Sequence, residues 1–246
     1  MGRRAPIGLL SNTRMQPTGN SDGAAKVDLR LSMCDCCRPQ SGTSLPFQWA
    51  LGQAIHTLAP EVKDHILQTP GTVVTYRGRM RVWRDGGWRG RLASWLLQVG
   101  ALASTMFPET GEDVDFEMEH AVSTDPDGCL TMTWTRTFRF DRVSRRFDAV
   151  MRFRKDHGPV VDWIGGLGCL HVELCPIVEE GAIVVRSRRE WLRLGPCRIP
   201  IPEWLKGRPT VREWEEPNGT LMIRVEIHNT ILGHFFGYEG SYRRSS

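Results

Sequence analysis

The sequence predicts a mainly β protein of α+β type: a curved antiparallel sheet or open β-barrel of about nine strands with one principal helix, behind a disordered N-terminal tail. Three observations predict it. From Thr72 onward, apolar and polar residues alternate with period two in stretch after stretch. Most of these stretches are joined by short turns rich in Gly, Asp and Asn, which implies antiparallel meander pairing. One good stretch of helical spacing, 91–103, interrupts the β pattern. The 246 residues, 40% of them hydrophobic, are enough to bury a sizeable core.

Residues 1–44 carry Gly, Ser, Pro, Thr and Asn without periodicity and read as a disordered tail, with Met15 and Met33 as alternative starts. Residues 45–246 read as a single β-rich domain. A short helix is expected over Phe47, Trp49, Leu51, Ile55 and Leu58 as far as Pro60, and a second short piece over Glu61 to Leu67. Pro70-Gly71 then breaks the chain. Val74, Tyr76, Met80 and Val82 share one face of the first strand, with Arg77, Arg79 and Arg81 on the other. The principal helix places Leu92, Trp95, Leu96, Val99, Leu102 and Ala103 on one stripe. Strands follow at Val114 to Val122, Cys129 to Phe140, Arg146 to Lys155, Leu170 to Leu174 and Ala182 to Leu192. Pro196, Pro200, Pro202 and Pro209 mark a long irregular connection. Val211 to Glu216, Leu221 to Ile227 and Ile231 to Tyr242 complete the set, the first two joined by a Pro217-Asn218-Gly219 turn.

Charge and motifs exclude several classes. The chain has 32 basic and 28 acidic residues, a net charge of +4, of which +3 lies in residues 1–44 (six basic, three acidic) and +1 in the remainder (26 against 25). The expected domain is therefore near neutral, and no nucleic acid partner is indicated. Seven cysteines at irregular spacing fit a reducing, cytoplasmic setting better than a disulfide framework. Cys34, Cys36 and Cys37 have no second C-x-x-C to complete the paired spacing of a zinc site, so no metal is expected. No cofactor is expected either: the sequence lacks a Walker loop, H-E-x-x-H, G-x-S-x-G and G-x-G-x-x-G after a strand. Gly165-Gly166-Leu167-Gly168 leads into a strand and reads as a tight turn.

From Leu58 to Arg243 the chain resembles a bacterial domain-of-unknown-function family, number 4166. The features that carry the resemblance are, in order, Leu58-Ala59-Pro60-Glu61-Val62, Gly78-Arg79-Met80, Trp134-Thr135-Arg136-Thr137-Phe138, Asp162-Trp163-Ile164-Gly165-Gly166, Arg212-Glu213-Trp214-Glu215-Glu216, and Leu232-Gly233 with Tyr238-x-Gly240. At the fourth of these the family usually has Glu before Phe-Gly-Pro, whereas here Asp stands for Glu and the Pro is absent. The resemblance implies a fold neighbourhood and no catalytic residues. Members fused to NAD-binding domains imply a metabolic setting and an NAD-binding partner domain, which this sequence does not contain.

Polar residues on faces that alternation assigns to the interior are the candidate ligand-binding residues: Arg136 beside Trp134, then His120, Tyr76 and Arg189. A buried guanidinium is expensive unless paired, and an anionic or carbonyl ligand supplies a partner. Each has a plainer reading. Arg136 pairs with an internal Glu about as readily, His120 is more often a satisfied core histidine, Arg189 snorkels from a strand end, and Tyr76 is an amphipathic core edge. His171 and Glu173 alternate onto the opposite face and are expected to be exposed, and Glu190 reads as an ordinary outward charge. The 91–103 helix covers the open side of the sheet by default; the alternative is peripheral membrane contact. The leading function is a non-catalytic binder or carrier of a lipid-like or other apolar ligand, its acidic head group oriented by Arg136. The alternatives are an enzyme acting on a small hydrophobic metabolite, with Arg136 polarising and His120 transferring a proton, and a structural or interaction module.

Overall fold

A computed structural model describes residues 45–84, 97, 105–126, 128–152, 160–166 and 168–245. The tail 1–44 and the 91–103 helix, with its membrane reading, lie outside these residues, save that Leu97 is helical and fully buried.

Pro46–Leu51 forms helix α1 and Pro60–Ile66 forms helix α2, with a 3₁₀ turn over Gly52–Thr57 between them. Both α-helices begin on proline, whose missing N–H costs nothing in a first turn. Among the described residues eleven strands follow: β1 (Val73–Trp83), β2 (Gly111–Thr124), β3 (Leu130–Arg139), β4 (Ser144–Arg152), β5 (Val160–Ile164), β6 (Leu170–Glu179), β7 (Ala182–Leu194), β8 (Cys197–Pro200), β9 (Arg208–Glu215), β10 (Leu221–Asn229) and β11 (Gly233–Arg244). Two of them exceed the expected nine. β5 is only five residues long and apolar at most positions, too short to show a period, and β8 lies inside the proline-rich stretch expected to be irregular.

The strands pair antiparallel in the order β6-β5-β4-β3-β2-β1-β11-β10-β9-β7, and β6 pairs again with β7. The sheet therefore closes into a ten-stranded barrel, with β8 added as an extra strand on β7. Closure removes every exposed edge except those of β8 and of strand ends. It depends on two glycines where β1 meets β11. A Cβ at Gly78 would stand 1.9 Å from the Ser241 carbonyl oxygen, and one at Gly240 2.0 Å from that of Arg79. Only glycine allows the two strands to approach this closely.

Alternation sorts the residues. Arg77, Arg79 and Arg81 face outward and pair with Glu117, Asp115 and Glu112 of β2, while Val74, Tyr76, Met80 and Val82 face in. This apolar-in, charged-out order is the reverse of a lipid-embedded barrel. Among the described residues, no helix is long and apolar enough to cross a membrane.

The interior is filled unevenly. Along the β1–β2–β11 wall, Tyr76 packs edge to face on Tyr242, Tyr242 on Phe116, Phe116 and Tyr238 on Phe138, and Phe236 on Phe107. At one place α1 and α2 insert Phe47, His65 and Ile66 into the barrel. Against the wall formed by β3 to β7, β9 and β10, where aliphatic side chains such as Val172, Ile183, Val185 and Ile227 stand beside Trp134 and Phe147, the packing leaves a space.

Candidate binding cavity

The space is a cavity of about 150 Å³. Its wall is mainly aliphatic and aromatic, including Phe47, Phe147, Met151, Val172, Val185 and Ile227. A water needs only about 10–15 Å³ by this measure, and an apolar cavity of about this volume holds a benzene ring. Four ionisable side chains share the wall: Arg136, Asp162, Glu190 and Glu213.

Arg136 is placed by strict alternation along β3, where Met132, Trp134, Arg136 and Phe138 all face in. Its Nη1 donates to Tyr238 Oη at 3.0 Å, and its guanidinium carbon lies 4.2 Å above the Phe147 ring. That stacking is worth about 2 kcal/mol in a desolvated site. Its Nε–H makes no hydrogen bond among the described residues. Trp134, which also lines the cavity and sits 5.7 Å from the same guanidinium, leaves its Nε1–H equally unpartnered.

Asp162 comes from β5, opposite Met151 of β4 and Val172 of β6. Burial pushes its carboxyl up to about 7, and the nearby Arg136 charge offsets only part of that shift. Its Oδ1 has no hydrogen-bond partner among the described residues. Glu190 stands in the same register row, since Val172 pairs with both residues. Burial raises Glu190 to about 7 as well, against hydrogen bonds from Ser187 and the Gly207 backbone N–H.

Glu213 belongs to a separate cluster under α2. His65 Nδ1 donates to Glu213 Oε1 at 2.6 Å, and Tyr242 Oη lies 3.5 Å from the same nitrogen. The His65 ring stacks on Trp134 and meets Tyr76 and His120 edge on, at centroid distances of 5.3, 4.8 and 5.2 Å. Burial first, and His65 second, push His120 down to about 2, so it is a neutral core imidazole. Tyr76 accepts a hydrogen bond from Gln68 Nε2 at 3.2 Å, and burial pushes its hydroxyl up to about 12. His65 therefore plugs the barrel with its carboxylate partner already supplied.

The five expected ligand-binding residues thus fall in three places. Arg136 and Trp134 line the cavity. His120 and Tyr76 are interior but belong to the histidine cluster, and neither reaches the cavity. Arg189 is corrected: it faces outward, with most of its side chain exposed, 3.9 Å from Glu173. The cause is a bulge. β6 and β7 slip register between Glu173 and Leu174, so that Glu173 pairs with Arg189 and Leu174 with Ser187. One extra residue reverses the face of everything after it. Ile183 and Val185 point in, but so does Glu190, while Arg189 and Trp191 point out. Glu190, expected outside, is thereby part of the cavity.

His171 and Glu173 do lie on the outer face, yet both are buried. His171 is stacked on Trp163 at 5.1 Å and lies 5.6 Å from Trp191, its neighbours in adjacent strands. Of the ionisable groups that matter, His65, Asp162, Glu190 and Glu213 were not among the sequence candidates. Glu213 alone carried a usable signal, because it shares the parity of Pro209 and Val211 on β9.

Over most of its length the chain matches known proteins in sequence. Residues 58–242 match the family model described as "Domain of unknown function (DUF4166)". The chain is also similar to "Uncharacterized protein YndH" of Bacillus subtilis (strain 168): 31% identical over 193 residues, spanning 76% of this chain and 91% of the relative.

Proposed function

Because the chain belongs to the DUF4166 family, whose membership carries no assigned activity, we propose a function from the cavity itself: the barrel binds one small, mainly apolar molecule inside its wall, oriented by Arg136. The observation that carries this reading is the combination of a largely apolar cavity with buried polar atoms on Arg136 and Asp162 that have no partner among the described residues. A solid structural module has no use for either. Empty volume forfeits packing, and an unpartnered buried donor costs about 1–3 kcal/mol. A ligand that fills the space and meets those atoms recovers both. Small-molecule sites have this make-up, an apolar wall with few convergent polar groups.

Native mass spectrometry of the full chain, followed by organic extraction, tests the reading. The expected result is an adduct of one small molecule per chain that is lost on denaturation and recovered in the extract. An apo mass that stays unchanged after incubation with a cell extract of small apolar metabolites overturns it.

A catalytic reading has one specific observation in its favour. Asp162 and Glu190 flank the cavity with carboxyl groups pushed up to about 7, where a group both gives and takes protons at neutral pH. The same extraction separates the two: a carrier returns its ligand intact, whereas an enzyme converts it.

A further inference from the structure

The polar atoms that line the cavity also say what kind of head group fits. Three of them lack partners: Arg136 Nε–H and Trp134 Nε1–H, which donate, and Asp162 Oδ1, which accepts. All three side chains are more than nine-tenths buried. Arg136 and Asp162 approach from either side of β4, where their direct neighbours Phe147 and Met151 both line the cavity. They are close enough for the guanidinium to act on the carboxyl, yet Nε and Oδ1 do not meet.

Charge decides against the obvious guess that Arg136 selects an acid. Among the described residues the cavity wall holds one guanidinium and three carboxyl groups, and of these carboxyls only Glu213 has a histidine partner. A carboxylate ligand would bring a fourth acid into a space of low dielectric. An ammonium ligand would face Arg136, which is always charged. A neutral group carrying an acceptor and a donor together satisfies the guanidinium, the indole and the carboxyl at once.

We infer that the cavity selects an uncharged head group that is both acceptor and donor, a carboxamide or a hydroxyl, on an apolar body about the size of one ring. This rests on the binding function proposed above and narrows it to a ligand class. The carboxamide fits best: its carbonyl oxygen accepts from Arg136 and Trp134, and its N–H donates to Asp162.

A panel of one-ring probes tests it: benzamide, benzyl alcohol, benzoate, benzylammonium and toluene, titrated into the full chain by calorimetry at about pH 8, where the Asp162 carboxyl is ionised. The expected order places benzamide and benzyl alcohol at least tenfold tighter than toluene, and toluene tighter than either charged probe. Two variants identify the reader. Asp162→Asn narrows the gap between benzoate and benzamide about tenfold, because the neutral isostere no longer repels a carboxylate. Arg136→Met removes the preference for benzamide over toluene, and Asp162→Asn alone suffices if that variant does not fold. Toluene binding as tightly as benzamide overturns the inference and leaves the binding function standing. So does benzoate or benzylammonium binding tightest, or an unchanged benzoate gap in Asp162→Asn. Failure of every probe overturns the inference together with the function it rests on.

Discussion

Burial holds the Asp162 carboxyl near 7 against an ordinary value of 3.8, and the sign of its effect on stability follows. Between about pH 4 and pH 7 the folded chain keeps this proton and the unfolded chain has lost it, so stability from this group falls as pH rises. Each pH unit across that window is worth up to about 1.4 kcal/mol. Glu190 acts in the same direction. His120 opposes both, since its folded value near 2 means that stability is lost as pH falls below the unfolded value of 6.5. Comparing Asp162→Asn with the parent chain cancels the other two groups. Measured by chemical denaturation, the variant is expected to gain on the parent by roughly 1–3 kcal/mol between pH 5 and pH 8. An equal difference at both pH values would mean that Asp162 is not held protonated by the fold.

The strands show where tight geometry and loose sequence rules part company. β1 and β11 close the barrel through Gly78 and Gly240, and any side chain there meets a backbone carbonyl at about 2 Å. Gly78→Ala or Gly240→Ala is expected to cost on the order of 3 kcal/mol, because strand backbone must move and not a flexible side-chain tip. Thermal unfolding checks this, and an unchanged Tm in both variants would contradict the closure geometry. The sequence carried much of the architecture, because the apolar and polar residues of β1, β2, β3 and β10 alternate and their inner faces are plain. Arg136 and Trp134 were legible for the same reason. β7 was misread, since a one-residue bulge leaves no mark in composition but exchanges Arg189 for Glu190 inside. β5 was missed because five residues cannot display a period, so Asp162 was visible as part of a family motif but not as an inward-facing carboxyl. The His65–Glu213 pair joins residues 148 apart, and no local pattern records such a meeting.

At the level of the molecule, a ten-stranded closed barrel is wider than an eight-stranded one, and side chains alone do not fill it evenly. Here aromatic packing fills the β1–β2–β11 side, the α1–α2 segment inserts Phe47 and His65, and the remaining volume lies against β3 to β7, β9 and β10. The methionines sample these regions separately. Met106 and Met151 line the cavity, Met80 and Met118 lie buried away from it, and Met222 lies on the outward face of β10. Methyl-resolved NMR of the methionine-labelled full chain, titrated with benzamide, therefore tests the central claim most directly. The account predicts saturable shifts at Met106 and Met151, with Met80, Met118 and Met222 nearly still. Shifts confined to Met222, or no shift at any methionine up to millimolar probe, would contradict a binding site inside the barrel.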